Sequence, residues 1–342
     1  MVKALEKFRV FIPEPEYPET LEMFKDFAEV VIGEPGVKYD ESKLAEILKD
    51  FDAVIITSQH RKVSRYVISK SPRLKVIAKY GAKPGVDNVD IEAATERGIP
   101  VVYSPEANSD SVAEFTVMLM LCTLKRLCFL EQFLRSGGWR DALIKNNALG
   151  YELKDKTVGI IGLGSIGRRV ARILQAFGAK LMGYDPYIPP EALANINITL
   201  VKSLDELLKE SDVVTIHALL TPQTHHLIGE RELTLMKPSA YIINTARGAI
   251  VDEAALVKAL REKRIAGAAL DVFETEPLPK DHPLLQLSNV IITPHFAGFT
   301  YEALRKETSM AHEDVIRVLK GCRPKYLANP EVLSKRPDLC EC

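Results

Sequence analysis

The sequence predicts an α/β protein built from two doubly wound parallel sheets. Three observations carry that expectation. Short β-branched runs alternate with helix-period segments in both halves of the chain, and a glycine-rich turn joins a strand to a helix near its middle. The chain has 342 residues, 46% apolar and 27% charged, which suits two soluble globular domains. Forty-five Lys+Arg balance 46 Asp+Glu for a net charge of −1, so no overall field draws in nucleic acid or an anionic membrane. The opening stretch, Met1 to Glu19, carries charges throughout and lacks the apolar region of a secretory signal. Phe115 to Leu124 is too short to cross a bilayer. The cysteines (Cys122, Cys128, Cys322, Cys340, Cys342) form no C-x-x-C pair and no zinc spacing, so no metal and a reducing, cytoplasmic setting are expected. Cys340-Glu341-Cys342 reads as a frayed, solvated end in preference to a soft-metal site.

In the first hundred residues the runs Phe8–Ile12, Ala53–Ile56, Val76–Ala78 and Val101–Val102 read as buried strands. Helical periods follow them over Glu19–Ala28, Glu41–Lys49, Ser64–Lys70 and Ile91–Arg97, and the unit closes near Tyr103-Ser104-Pro105. A long helix is predicted from Ser109 to Leu134, capped by Asn108 or Ser109 and ended by Gly137-Gly138. Its Leu119, Cys122, Leu127, Leu130 and Leu134 exceed one core-facing stripe, so it should lie between domains or against a second subunit. A second alternation places strands at Thr157–Ile161, Leu181–Tyr184, Val213–Ile216, Tyr241–Asn244, Gly267–Asp271 and Val290–Ile292. Helices fall at Ile166–Phe177, Leu204–Lys209, Glu253–Glu262 and, last, Tyr301–Leu319.

The sharpest local signal is Gly162-Leu-Gly164-Ser-Ile-Gly167, placed directly after a strand and opening a helix. Gly162 would make the tight turn, Gly164 would let the backbone reach a pyrophosphate, and Gly167 would let helix and strand approach closely. The amides of Ser165 and Ile166, with the helix dipole, would hold phosphate charge. Asp185 ends the next strand, 18 residues beyond Gly167. A carboxylate there accepts ribose hydroxyls and repels a 2′-phosphate, which favours NAD.

Three further segments lie where later strands end: Asn244-Thr-Ala-Arg-Gly248, Asp271-Val-Phe-Glu-Thr-Glu-Pro277 and Thr293-Pro-His-Phe-Ala-Gly298. With the glycine motif and His217-Ala-Leu-Leu-Thr-Pro222, this ordered set resembles the D-isomer specific 2-hydroxyacid dehydrogenases, of the phosphoglycerate dehydrogenase and glyoxylate-hydroxypyruvate reductase kind. The resemblance implies an NAD-binding Rossmann domain inserted into a smaller flavodoxin-like substrate domain. The substrate domain would comprise residues 1–104 completed by 303–342, and the NAD domain residues 105–302. It implies that Arg247 binds the substrate carboxylate and 2-oxygen, its planar fork suiting a two-oxygen anion. His295 would be the acid/base, and Glu276 its carboxylate partner, fixing the tautomer and favouring the imidazolium. Glu274 is a rival acid, but the family places the carboxylate immediately before the proline. Asp271 matches the position that holds the nicotinamide carboxamide, while His217, Ala218, Thr245, Ala246 and Gly298 would line the cofactor, bordered by Arg247 and His295. His225, His226, His282 and His312 have no such placement and read as surface residues.

The family's Gly-x-Gly-x-Asp-Asn segment, which offers amides to the substrate carboxylate, stands here as Gly81-Ala-Lys-Pro-Gly85-Val-Asp-Asn88. Gly81, Ala82 and Gly85 are the expected substrate contacts, although the two glycines stand four apart, two residues more than in the family pattern, and Pro84 has no N–H to give. Ser58, Gln59 and His60 stand where members acting on phosphorylated acids often carry arginine. The resemblance further implies closure of one domain on the other, a C2 homodimer formed through the Ser109–Leu134 helix, and hydride transfer between NAD and a small D-2-hydroxy or 2-oxo acid. The alternative is an NAD(H)-sensing corepressor-like binding protein on the same scaffold. A formate-type enzyme is disfavoured, because those members lack the acid matching Glu276.

Overall fold

Parallel strands must be joined by crossovers, and short β-branched runs separated by amphipathic helices supply them. The computed structural model describes residues 7–13, 18–56, 62–81, 88–146 and 148–342. The chain divides into two units, Met1–Asn108 with Thr300–Cys342, and Ser109–Phe299.

The first unit begins with β1 (Phe8–Ile12), α1 (Pro18–Leu21), β2 (Ala28–Ile32), α2 (Glu41–Ile47) and β3 (Ala53–Ile56). It continues with α3 (Arg65–Lys70), β4 (Val76–Lys79), α4 (Ile91–Glu96) and β5 (Val101–Tyr103). All five strands pair in parallel in the order β2-β1-β3-β4-β5, the flavodoxin-like arrangement. β2 replaces the end of the helix expected over Glu19–Ala28: only Pro18–Leu21 and a 3₁₀ turn, Glu22–Phe24, are helical. Glu29-Val30-Val31-Ile32 pairs as an edge strand against β1, where β-branched side chains pack well.

The second unit opens with α5 (Ser109–Leu124), α6 (Leu127–Arg135) and α7 (Arg140–Lys145). The single helix expected over Ser109–Leu134 is thus two. Arg126 adopts a left-handed conformation (φ 59°), which no continuous right-handed helix can contain, and its guanidinium lies over the Phe129 ring. Beyond them come β6 (Thr157–Ile161), α8 (Ser165–Ala176), β7 (Lys180–Tyr184), β8 (Thr199–Leu200) and α9 (Leu204–Glu210). β9 (Val213–Ile216), α10 (Glu230–Leu235), β10 (Tyr241–Asn244), α11 (Glu253–Arg261), β11 (Gly267–Leu270) and β12 (Val290–Ile292) complete it. Seven parallel strands run β12-β11-β10-β9-β6-β7-β8, the Rossmann order extended by one strand. β8, two exposed residues at the edge, is too short and too polar in setting to leave a sequence signal.

The chain then returns to the first unit through α12 (Tyr301–Leu319), capped by Thr300, whose hydroxyl accepts from the Ala303 amide. Ala311, Val315 and Val318 of α12 pack on Val76 and Ala78 of β4. Two readings are corrected here. His312 is not a surface residue: it lies fully buried on this inward face, because positions 308, 311, 312, 315 and 319 form one helical stripe. The last residues are not frayed either. Leu339 is buried, the Cys340 amide donates to Gly321 O, and Cys322 and Cys342 are disulfide-bonded.

Candidate active site

In an open parallel sheet, side chains following adjacent strands gather at one edge. In the second unit the register sets Ile161, Ile216, Asn244 and Leu270 side by side, so the residues just after them share that edge.

After β6 the chain turns at Gly162 (φ +87°), where a Cβ would come within 2.7 Å of Ala218 N. At Gly167 a Cβ would lie 2.1 Å from Gly162 O, so only glycine permits this approach. Gly164, by contrast, faces open space. Asp40, Ser64, Asp90, Ser203, Asp252 and Thr300 each cap a helix with a side-chain oxygen, whereas α8 starts at Gly164, which supplies none. An exposed glycine and uncapped first amides fit a bound pyrophosphate. The Asp185 carboxylate accepts from Leu163 N on one oxygen and from Tyr187 N and Ile188 N on the other, which locks it beside this turn while leaving it partly exposed. Ser165 meets Ser109 through their hydroxyls at 3.1 Å.

His217 follows β9, and its Nε2 lies 3.0 Å from the Thr215 hydroxyl. Burial pushes its pKa down to about 3, so it stands neutral. After β10, Asn244 forms a local turn: its amide oxygen accepts from Ala246 N and its amide nitrogen donates to Arg247 O. Thr245 is held 2.8 Å from Thr116 of α5, hydroxyl to hydroxyl. Arg247 is partly exposed and donates to Ala246 O.

His295 Nδ1 lies 2.7 Å from Glu276 Oε2, while Glu276 Oε1 accepts from Phe273 N. Burial opposes ionisation of Glu276, but the His295 hydrogen bond, the Phe273 amide and the charges of His295 and Arg247 outweigh it and hold the carboxyl below its usual range. An ionised Glu276 accepts, so Nδ1 carries the hydrogen and Nε2 is left for other work. Glu274 turns elsewhere, accepting from Glu253 N and meeting His226.

Asp271, expected beside the nicotinamide carboxamide, also has internal partners. It is fully buried, one oxygen taken by the Thr293 hydroxyl (2.5 Å) and Phe296 N, the other by Ala297 N. It therefore organises the turn that carries His295, at φ +55°, a conformation costly for a side-chain-bearing residue unless its surroundings impose it. Ser111 of α5 fixes the same turn by donating to Ala297 O. Neither Ser111 nor Thr116 gave a signal in the sequence, since their partners lie more than a hundred residues away.

The structure thus brings Arg247, Glu276 and His295 to the edge shared with Gly162–Gly167, His217, Ala218, Thr245, Ala246 and Gly298. Gly81 belongs to the first unit, at the end of β4 with φ +96°, and Ala82 and Gly85 lie outside the described residues, as do Ser58, Gln59 and His60. Among the described residues no group of His, Cys, Asp or Glu could hold a metal, and no helix is long and apolar enough to cross a membrane.

Residues 117–297 match the family model described as D-isomer specific 2-hydroxyacid dehydrogenase, NAD binding domain. The chain is 44% identical over 313 residues to a D-3-phosphoglycerate dehydrogenase of Methanocaldococcus jannaschii, covering 92% of this chain but only 58% of that protein. It is 43% identical over 330 residues to a glyoxylate reductase of Thermofilum pendens, covering 95% and 94% of the two chains. Among solved structures, a glyoxylate reductase from Paecilomyes thermophila superposes with a TM-score of 0.82 at 30% identity, over 96% of this chain and 99% of that one. Motif order, strand order and these matches agree: the chain belongs to the D-isomer specific 2-hydroxyacid dehydrogenase family and carries its NAD binding domain.

Proposed function

We propose that the protein is an NAD-dependent oxidoreductase acting at C2 of a small D-2-hydroxy acid or 2-oxo acid, of the glyoxylate, hydroxypyruvate or phosphoglycerate type. The observation that carries this reading is the 2.7 Å contact of His295 with an ionised Glu276, with the Arg247 charge close by. NAD, when bound, supplies hydride chemistry at its nicotinamide. Arg247 binds the substrate carboxylate and 2-oxygen through its fork of donors. His295 Nε2 gives a proton to the 2-oxygen in reduction and takes it back in oxidation. Glu276 fixes the tautomer that makes this reversible. Asp185, a carboxylate beside the glycine turn, favours NAD over NADP. Residues 105–302 act as the cofactor domain, and residues 1–104 with 303–342 as the substrate domain, with Gly81, Ala82 and Gly85 offering amides. A cytoplasmic setting is the compartment proposed; the free thiols Cys122, Cys128 and Cys340 suit it, and the Cys322–Cys342 disulfide runs against it.

A homodimer completes the reading. α6 buries none of its residues, Leu127 and Leu134 are 54% and 58% exposed, and an apolar groove of about 520 Å³ runs along Val117, Met118, Leu121, Cys122, Leu127 and Ile173. A second copy would cover such a face. A mass near 38 kDa in sedimentation equilibrium would overturn that part.

The test is an absorbance screen of purified protein with NADH and NADPH against glyoxylate, hydroxypyruvate, phosphohydroxypyruvate, pyruvate and branched 2-oxo acids. Turnover of at least one with NADH is expected. NADH binding without turnover across the whole panel would overturn the enzyme and favour the NAD(H)-sensing alternative, which draws no support from these reductase and dehydrogenase relatives.

A further inference from the structure

Three of the five cysteines meet at one place, far apart in sequence and outside the site described above. α12 ends in a turn at Gly321 (φ +81°), which aims Cys322 back along the segment 338–342. Cys322 and Cys340 face each other across a parallel bridge, fixed by Cys340 N donating to Gly321 O at 3.0 Å and Arg323 N donating to Cys340 O at 2.8 Å. Arg323 Nε adds a bond to Leu339 O, and Leu339 itself is buried. Residues two apart on an extended segment point to the same side, which sets Cys340 and Cys342 side by side next to Cys322. Cys342 is bonded to Cys322, with Cα atoms 5.6 Å apart. The exposed thiol of Cys340 lies 3.6 Å from Cys342 Sγ, in van der Waals contact with the disulfide.

We propose that Cys322, Cys340 and Cys342 form a thiol–disulfide exchange site, in which Cys340 opens the Cys322–Cys342 staple from within. The Cys340 thiolate attacks Cys342 Sγ, the Cys340–Cys342 bond forms, the Cys322–Cys342 bond breaks, and Cys322 leaves as a thiolate that takes up a proton. No electrons are gained or lost, so this step needs no co-reactant. Forming either bond from three thiols takes a two-electron oxidant, here a low-molecular-weight disulfide, which is reduced to two thiols. The staple closes a loop with a sequence separation of 20, tying the end of α12 to the segment 338–342. Shifting the bond to Cys340–Cys342 releases that tie while leaving the protein equally oxidised.

The experiment starts from the full-length protein, fully reduced and oxidised with glutathione disulfide at pH 8, or already oxidised and incubated with a trace of reduced glutathione. After acid quench and alkylation, cleavage after basic residues and after Glu341 separates the three cysteines, and the linkages are read by mass. Wild type should contain both Cys322–Cys342 and Cys340–Cys342, in a ratio independent of the route. Cys340→Ser should contain Cys322–Cys342 alone and should unfold about 5 °C above its own reduced form, as expected for closing a loop of this size. Wild type with Cys322 bonded in every molecule and Cys340 always alkylated would overturn the proposal. So would a Cys340→Ser protein that forms no Cys322–Cys342 bond, or a Cys322–Cys340 bond where Cys340–Cys342 is expected.

Discussion

His295 and His312 are each held through Nδ1, but by different acceptors in different surroundings. His295, partly exposed, faces the carboxylate of Glu276 through Nδ1, leaving Nε2 for the proposed proton exchange. His312, fully buried, meets Thr20 O at 3.1 Å through Nδ1 and the Tyr80 hydroxyl at 2.9 Å through Nε2. Burial pushes its pKa down to about 4, against a smaller opposing effect of Thr20 O. The neighbouring carboxyls differ in the same way. Partners and nearby charge keep Glu276 ionised, whereas burial raises Glu307 on α12 to about 7 despite the Lys79 charge. A titratable side chain is useful for proton transfer only where its charged form is paired and within reach of solvent or substrate. Where burial outweighs any countercharge, the same group becomes a pH-dependent load on the fold.

The largest effect that would sharpen this contrast is on turnover. His295→Asn should lower kcat by roughly two orders of magnitude or more, while His312→Asn should lower the unfolding free energy and leave kcat within a few-fold. Equal losses of kcat in the two variants would break the comparison. Arg247→Lys should cost about tenfold to a hundredfold in kcat/KM, because a point charge replaces a fork; steady-state kinetics with the best substrate of the panel checks this.

The next effect is on stability, and the two buried groups pull in opposite directions. Between pH ~4.5 and ~7 the folded Glu307 keeps a proton that the unfolded carboxyl has lost, so stability falls as pH rises, by about 3 kcal/mol over the window. Between pH ~4 and ~6.5 the unfolded His312 binds a proton that the folded ring refuses, so stability rises with pH by a similar amount. The two slopes should nearly cancel in the wild type. Glu307→Gln should uncover the rise due to His312 and gain about 1–3 kcal/mol at pH 8, with little change at pH 4. Denaturant unfolding across that range checks it, and parallel wild-type and Glu307→Gln profiles would refute the burial argument. The smallest effect concerns the cofactor: Asp185→Ser should shift the NADH/NADPH preference about tenfold toward NADPH, measured as a ratio of kcat/KM values.

Much of the site was legible because its information is local. A tight turn at Gly162 and a close approach at Gly167 each need glycine, Gly164 stands open beside them, and the spacing can be read without knowing what lies across the sheet. His295, Glu276 and Arg247 were legible as residues following strands, and register alone brings strand ends together. The choice of Glu276 over Glu274 needed the family pattern, and the geometry agrees with it. The break at Arg126, the edge strands β2 and β8, and the hydrogen bonds of Asp271 to Phe296 N and Ala297 N were not legible. Periodicity reports which face of an element is apolar, not where the element stops or what buries it.

By itself the sequence determined two parallel sheets, a glycine turn fit for a dinucleotide and the residues proposed for proton transfer, since period, turn chemistry and donor geometry are properties of short segments. Only the tertiary structure decided that Asp271 braces a turn, that His312 is sealed beneath α12 and that three sulfurs meet beyond it. Those outcomes depend on which distant side chains exclude water from a group or supply its hydrogen bonds, and that is settled by packing across the fold.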